Sequence, residues 1–183
     1  TMHGNEDGDF MFGDSGTDSM FGDAGDDVMR GGIDADTMHG NGDHDVMNGD
    51  DAADHMFGDA GPDTMHGDAA DDYMEGNADV DTMTGDAGQD DMLGGSGSAG
   101  QPDTGDVMNG GDGASTLTQD FDVLVGDNGK IERPAGDPKV TGAKVRSVTI
   151  YELDSSDTSL YGADTMSGDQ SDDELYGGGA GDT

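Results

Sequence analysis

Aspartate recurs every nine residues from Asp9 to Asp90, ten times without a break, each time five residues after a glycine and two before a methionine. Carboxylates at a fixed interval, set among glycines whose carbonyls lie open, point to hard-cation chemistry. Calcium takes six to eight oxygens at ~2.3–2.6 Å and accepts backbone carbonyls beside carboxylates. The chain holds no cysteine, so neither a disulfide nor a thiolate metal site can staple it. The residues proposed for cation ligation are Asp9, Asp18, Asp27, Asp36, Asp45, Asp54, Asp63, Asp72, Asp81 and Asp90, followed by Asp173 and Asp182 in phase near the end.

Something must position these carboxylates, and the period says what. Gly4 to Leu93 divides into ten nonapeptides of the form Gly-[Asp/Asn/Gly]-x-x-x-Asp-x-Met-x, for example GDAGDDVMR from Gly22 and GDAGPDTMH from Gly58. Nine fits neither an amphipathic helix nor a simple meander; it suits a solenoid built from one turn and one very short strand. The first six residues of each unit are Gly, Asp, Asn and Ala types that tolerate φ > 0. The last three favour extension, and alternation turns the central methionine inward. Two units make an 18-residue coil with strands on opposite walls, stacked ~4.8 Å apart. The expected fold class is all-β, a right-handed parallel β-roll solenoid with a small β insert near the C-terminus.

Stacking sets Asp9 beside Asp27, Asp45, Asp63 and Asp81, and Asp18 beside Asp36, Asp54, Asp72 and Asp90. Carboxylates ~5 Å apart repel by a few kcal/mol at an intermediate dielectric, so the ladders need ions between their rungs. Composition makes the same demand. Forty-three acidic residues face six basic ones for a net charge of −37, with only 30% hydrophobic residues. Unneutralised, such a chain cannot offset the entropy of ordering. About one ion per turn, eight to ten in all, would cancel about half of that charge. The acidity disfavours nucleic acid and anionic membranes as partners, and no long apolar run is present.

The unit resembles the RTX, or haemolysin-type, calcium-binding repeat, G-G-x-G-x-D-x-U-x with U a large apolar residue. The resemblance covers 4–93 closely and returns, degraded, at 94–97, 105–118 and 162–183. The second glycine is usually Asp or Asn here (Asp14, Asn41, Asp86), and U is methionine. The resemblance implies a calcium-loaded roll that is disordered without the ion, secreted unfolded, and folded outside the cell.

The thirteen methionines fall at apolar repeat positions or their degenerate equivalents, Met108 and Met166, and are read as flexible core filler in preference to copper ligands. Outward strand positions on one wall run His3, Phe21, His39, Phe57, Glu75, Leu93, an alternation expected to serve lateral contact with another roll or a partner. Two motif matches carry nothing: Gly13-Asp14-Ser15-Gly16 sits inside an ordinary repeat, and the GxGxxG of 95–100 lacks its strand and helix. No enzyme is expected.

Regularity fails after Leu93. A loop insertion is expected at about 98–105, then a repeat at Gly110 to Thr118 with Ser115 in the aspartate position. Residues 119–156 carry five of the six basic residues and read as a β insert turning at Gly126-Asp127-Asn128-Gly129. That insert is expected to dock on the acidic turns of a neighbouring molecule. The organisation is therefore a roll over 1–118, a basic insert over 119–156, and degenerate roll repeats over 157–183. Thr1 falls inside a repeat, and Gly177 to Thr183 stops before its methionine position; Met2-His3 of another copy is expected to complete it, giving a head-to-tail homo-oligomeric filament. The expectation is a secreted, extracellular calcium-dependent structural protein. The alternative is the calcium-binding module of a larger secreted hydrolase or adhesin.

Overall fold

The computed structural model describes residues 1–97, 104–111, 122–132, 147–150, 163–168, 173–178 and 182–183. Odd and even nonapeptides separate into two parallel sheets. The first stacks β1 (Met2–Glu6), β3 (Ser19–Ala24), β5 (Thr37–Gly42), β7 (His55–Ala60), β9 (Tyr73–Ala78), β11 (Asp91–Leu93), β13 (Val123–Val125) and β17 (Glu174–Tyr176) in that order. The second stacks β2 (Phe10–Phe12), β4 (Val28–Gly32), β6 (Val46–Asp50), β8 (Thr64–His66), β10 (Thr82–Thr84), β12 (Val107–Asn109) and β16 (Thr165–Ser167). Among the described residues there is no helix, and so none long and apolar enough to cross a membrane. The protein is a parallel β-roll.

The register is fixed by the 18-residue coil: Met2 aligns with Met20, Met38 with Met56, and Met11 with Met29. The inward residue of every three-residue strand therefore falls on one line. Nine methionines from Met20 to Met92 are wholly buried, Met108 nearly so, and Met2 and Met166 close the column at its ends. Removing such a side chain from water contributes roughly 1.5–3 kcal/mol. A flexible thioether suits a core only two side chains thick, because no single rotamer must fit every rung.

Glycine and its relatives make the coil turn back within six residues. The second position of nine of the ten units is Asp or Asn, and all nine hold φ between 62° and 83°. These are the non-glycine residues that enter the left-handed region most readily, so the departure from G-G leaves the backbone path intact. At Gly61, with φ 120°, a Cβ would strike the Asp43 carbonyl of the coil below.

Two expectations need correction. Val123–Val125, assigned by composition to the insert over 119–156, is a roll strand: it pairs with β11 and β17, and Leu124 is wholly buried in the methionine column. Residues 126–129 accordingly do not turn a hairpin between the strands beside them. They lead out of the roll into β14 (Gly129–Glu132), which pairs antiparallel with β15 (Ser147–Ile150). The hairpin packs on its own roll. Ile131, Val148 and Ile150 lie against Leu93, Val123, Val125, Tyr73 and Tyr176 on the outward face of the first sheet. The expected repeat at Gly110 to Thr118 falls mostly outside the described residues, and the rung after β12 is taken by Asp122 to Gly126 instead. Arg133, Lys139, Lys144 and Arg146 also lie outside the described residues, as does the loop over 98–103.

If Leu124 belongs to the column, Leu124→Ala should destabilise the calcium-loaded roll by about 2–5 kcal/mol, read as a lower urea midpoint. A variant as stable as the parent would put Leu124 outside the core.

Candidate cation ladders

Each turn brings its sixth-position aspartate directly over that of the coil before. The Asp45 amide donates to Asp63 Oδ1 at 2.8 Å, and the Asp63 amide to Asp81 Oδ1 at 2.8 Å. Continued in both directions, such bonds link Asp9, Asp27, Asp45, Asp63, Asp81, Asp106, Asp164 and Asp182 into one ladder. Asp18, Asp36, Asp54, Asp72, Asp90, Asp122 and Asp173 form the other. All twelve aspartates chosen from the sequence stand on one ladder or the other. Three were missed: Asp106, Asp122 and Asp164. Their signal is the pentad Asp-x-[Met/Leu]-x-Gly, kept as DVMNG, DVLVG and DTMSG; insertions fall between its glycine and the next aspartate and hide the nine-residue period but not the pentad.

The second carboxylate oxygen defines the chemistry. Oδ2 of Asp27, Asp36, Asp45, Asp54, Asp63, Asp72, Asp81 and Asp164 is buried with no hydrogen-bond donor. It points into the turn, toward the first-position glycine of its own unit. A Cβ on Gly58 would lie 2.6 Å from Asp63 Oδ2 and 2.7 Å from the Gly76 carbonyl oxygen. That glycine leaves a space faced by a carboxylate oxygen and a carbonyl oxygen from the next coil. Among the described residues no group of three or more His, Asp or Glu side chains converges on one point. A cation here would therefore be held by one or two ladder carboxylates and backbone carbonyls, an all-oxygen set that fits calcium and lacks the imidazole and thiolate preferred by zinc or copper.

Burial without a cation raises the carboxyls. Desolvation pushes Asp45 up to about 6, Asp54 and Asp81 to about 7, Asp63 to about 8 and Asp72 to about 9. The backbone amide at Oδ1 opposes the rise, and for Asp63 and Asp72 the ladder carboxylates on either side add to it. Asp164 is held at about 7 by burial, with Asp127 and Asp182 nearby. Buried carboxylates are kept neutral or matched by a positive charge. At neutral pH a cation and a proton would compete for these oxygens, and a bound cation would supply the charge that burial otherwise answers by protonation.

An acidic parallel roll whose turns carry rows of donorless carboxylate oxygens is a β-solenoid with the oxygen donors of a hard-cation site. The chain belongs to the RTX calcium-binding nonapeptide-repeat family, whose pattern matches it four times, at residues 3–38, 30–65, 66–98 and 160–183. Comparison with curated proteins and with solved structures returned no match.

Two outcomes follow for the ladders. A group whose folded pKa exceeds its unfolded value stabilises the fold in full below the unfolded value, and that contribution is lost as pH rises through the folded one. The metal-free roll should thus gain strand structure at about pH 4 and lose it between about pH 6 and 9, followed by far-ultraviolet circular dichroism. Structure that increases with pH in EGTA would contradict the burial. Asp63→Asn keeps an Oδ1 acceptor but removes the charge. It should raise the pH at which the metal-free chain loses its strand structure and reduce calcium bound per chain in calorimetry; parental values in both would remove Asp63 from the ion row.

Proposed function

We propose that the chain is a calcium-dependent structural roll that folds in a calcium-rich extracellular setting and assembles end to end. The observation that carries the calcium dependence is the row of buried Oδ2 atoms facing glycine carbonyls. Charge works the same way: at −37, the folded form is favoured only where cations are abundant. The RTX family supports extracellular action, since its members are typically secreted.

Assembly is supported by the strand edges. β1 and β2 lie at one end of the two sheets; β17 lies at the other, as does β16, beside which Thr183 has begun a further rung through the bond from the Met166 amide to its carbonyl. Parallel strand edges accept further coils. The geometry alters how copies would join. Met2 and His3 already belong to the first sheet, paired with Met20 and Phe21, whereas Thr183 continues the second. A neighbouring copy would then set β1 on β17, instead of completing the last repeat with Met2-His3. The outward His3, Phe21, His39 and Phe57 would supply lateral contacts between such assemblies. The same edges would serve equally well if the roll were the calcium-binding module of a larger secreted hydrolase or adhesin.

Sedimentation and negative-stain microscopy in millimolar calcium and after EGTA separate the readings. Filaments that form with calcium and dissolve on chelation are expected for end-to-end assembly. A folded monomer at every calcium and protein concentration would leave only the module.

A further inference from the structure

The inner ladders cannot tell one coil from the next. Gly, Asp and Met recur every nine residues, so a strand displaced by one 18-residue coil would still find methionine opposite methionine and aspartate opposite aspartate. Repeats of this kind are prone to slipped registers. The outward face of the first sheet carries a second pattern with twice the period. His3, Phe21, His39 and Phe57 occupy the ninth position on successive rungs, in register. Their rings stack at 4.9, 5.1 and 4.6 Å, with interplanar angles of 12°, 4° and 9°.

The second position one coil further along alternates in step: Asp23, Asn41, Asp59, Asn77. His3 Nδ1 lies 3.1 Å from Asp23 Oδ2, and His39 Nδ1 lies 3.0 Å from Asp59 Oδ2. A carboxylate only accepts, so Nδ1 carries the proton in both. The same 20-residue step joins Arg30 to Asp50 through two guanidinium nitrogens, and His66 to Asp86 at 3.5 Å. Every basic ninth-position residue from His3 to His66 faces an aspartate. Phe21 and Phe57 face asparagine instead, and Phe12 faces Gly32.

We infer that this alternation is a register key, by which the outer face distinguishes coil junctions whose core and ladder contacts are alike. A slip past β3 would set His3 against Asn41 and on top of His39, and a slip past β5 would set Phe21 against Asp59 and on top of Phe57. Either slip would lose one histidine–aspartate bond and stack like ring on like, and the second would also set a carboxylate against a phenyl ring. In the second sheet the same slip sets Arg30 against Asp68, still an aspartate, so the discrimination resides in the first. Exposed pairs of this kind are individually weak. Where the core and ladder contacts at a junction are alike, such a preference adds to the cost of leaving a coil unstacked.

The absence of cysteine allows the register to be read by crosslinking. Ser19 is paired with Thr37, and Thr37 with His55, so S19C/T37C reports the native register and S19C/H55C a one-coil slip. Each pair would be placed in the parent and in D23N/N41D/D59N/N77D, which keeps composition and charge but puts asparagine opposite histidine. After refolding in calcium and mild oxidation, peptide mass spectrometry gives the proportion of chains carrying each disulfide. The swapped chain is expected to raise the slipped-to-native ratio about fivefold or more. Adding H3F/F21H/H39F/F57H, which returns each histidine to a place opposite aspartate, should restore the parental ratio. A swapped chain that does not fold, beside a restored chain that does, also supports the key. A swapped chain with the parental ratio overturns it, as does loss of the native disulfide in swapped and restored chains alike.

Discussion

The structure depends on one oxygen per rung. From Asp27 onward each ladder aspartate uses Oδ1 to accept the amide of the preceding rung, and this bond holds the coils in step. From Asp27 to Asp81 the other oxygen is thereby fixed inside the turn, away from water and without a donor. A hydrogen bond that helps to build the roll thus places a carboxylate where its charge opposes the fold, a conflict that a bound cation would resolve. The fold and the proposed calcium dependence trace to the same carboxylate.

The rest of the repeat follows from making room for that arrangement. Glycine at the first position is required because a side chain there would occupy the space shared by the aspartate and the carbonyl of the next coil. The turn bends through left-handed residues, and Asp or Asn at the second position adopts that conformation while offering a carboxylate or amide to the outer face. Methionine closes the interior. A core two side chains thick buries little area per rung, so the roll gains its apolar stabilisation by repetition and leaves charge neutralisation to the ions.

How much of this was legible from sequence depended on where the period was kept. From Gly4 to Leu93 the strict phase of Gly, Asp and Met gave the parallel roll, the two ladders and the buried methionines. Beyond Leu93 the count by nines failed, because insertions enter the turn between glycine and aspartate. Asp106, Asp122 and Asp164 were lost to it, although their local Asp-x-[Met/Leu]-x-Gly pattern persists. Leu124 was obscured further, since the basic, proline-containing composition around it suggested a separate unit. The hairpin's position on its own roll was not readable at all: it depends on Leu93, Val123 and Val125 meeting Ile131, Val148 and Ile150, a contact that local pattern does not encode. Ring stacking of His3 through Phe57 was visible as an alternation, but its pairing with Asp23 and Asp59 across 20 residues emerged only from the geometry.

The most direct measurement is a crystal structure grown in millimolar calcium with anomalous diffraction used to locate the ions. The account predicts two rows of calcium along the two columns of turns, each ion against Oδ2 of a ladder aspartate and carbonyl oxygens of the turn. A folded roll whose ions lie only on outward carboxylates such as Asp26 and Asp51, with Asp45, Asp63 and Asp72 contacting none, would contradict it.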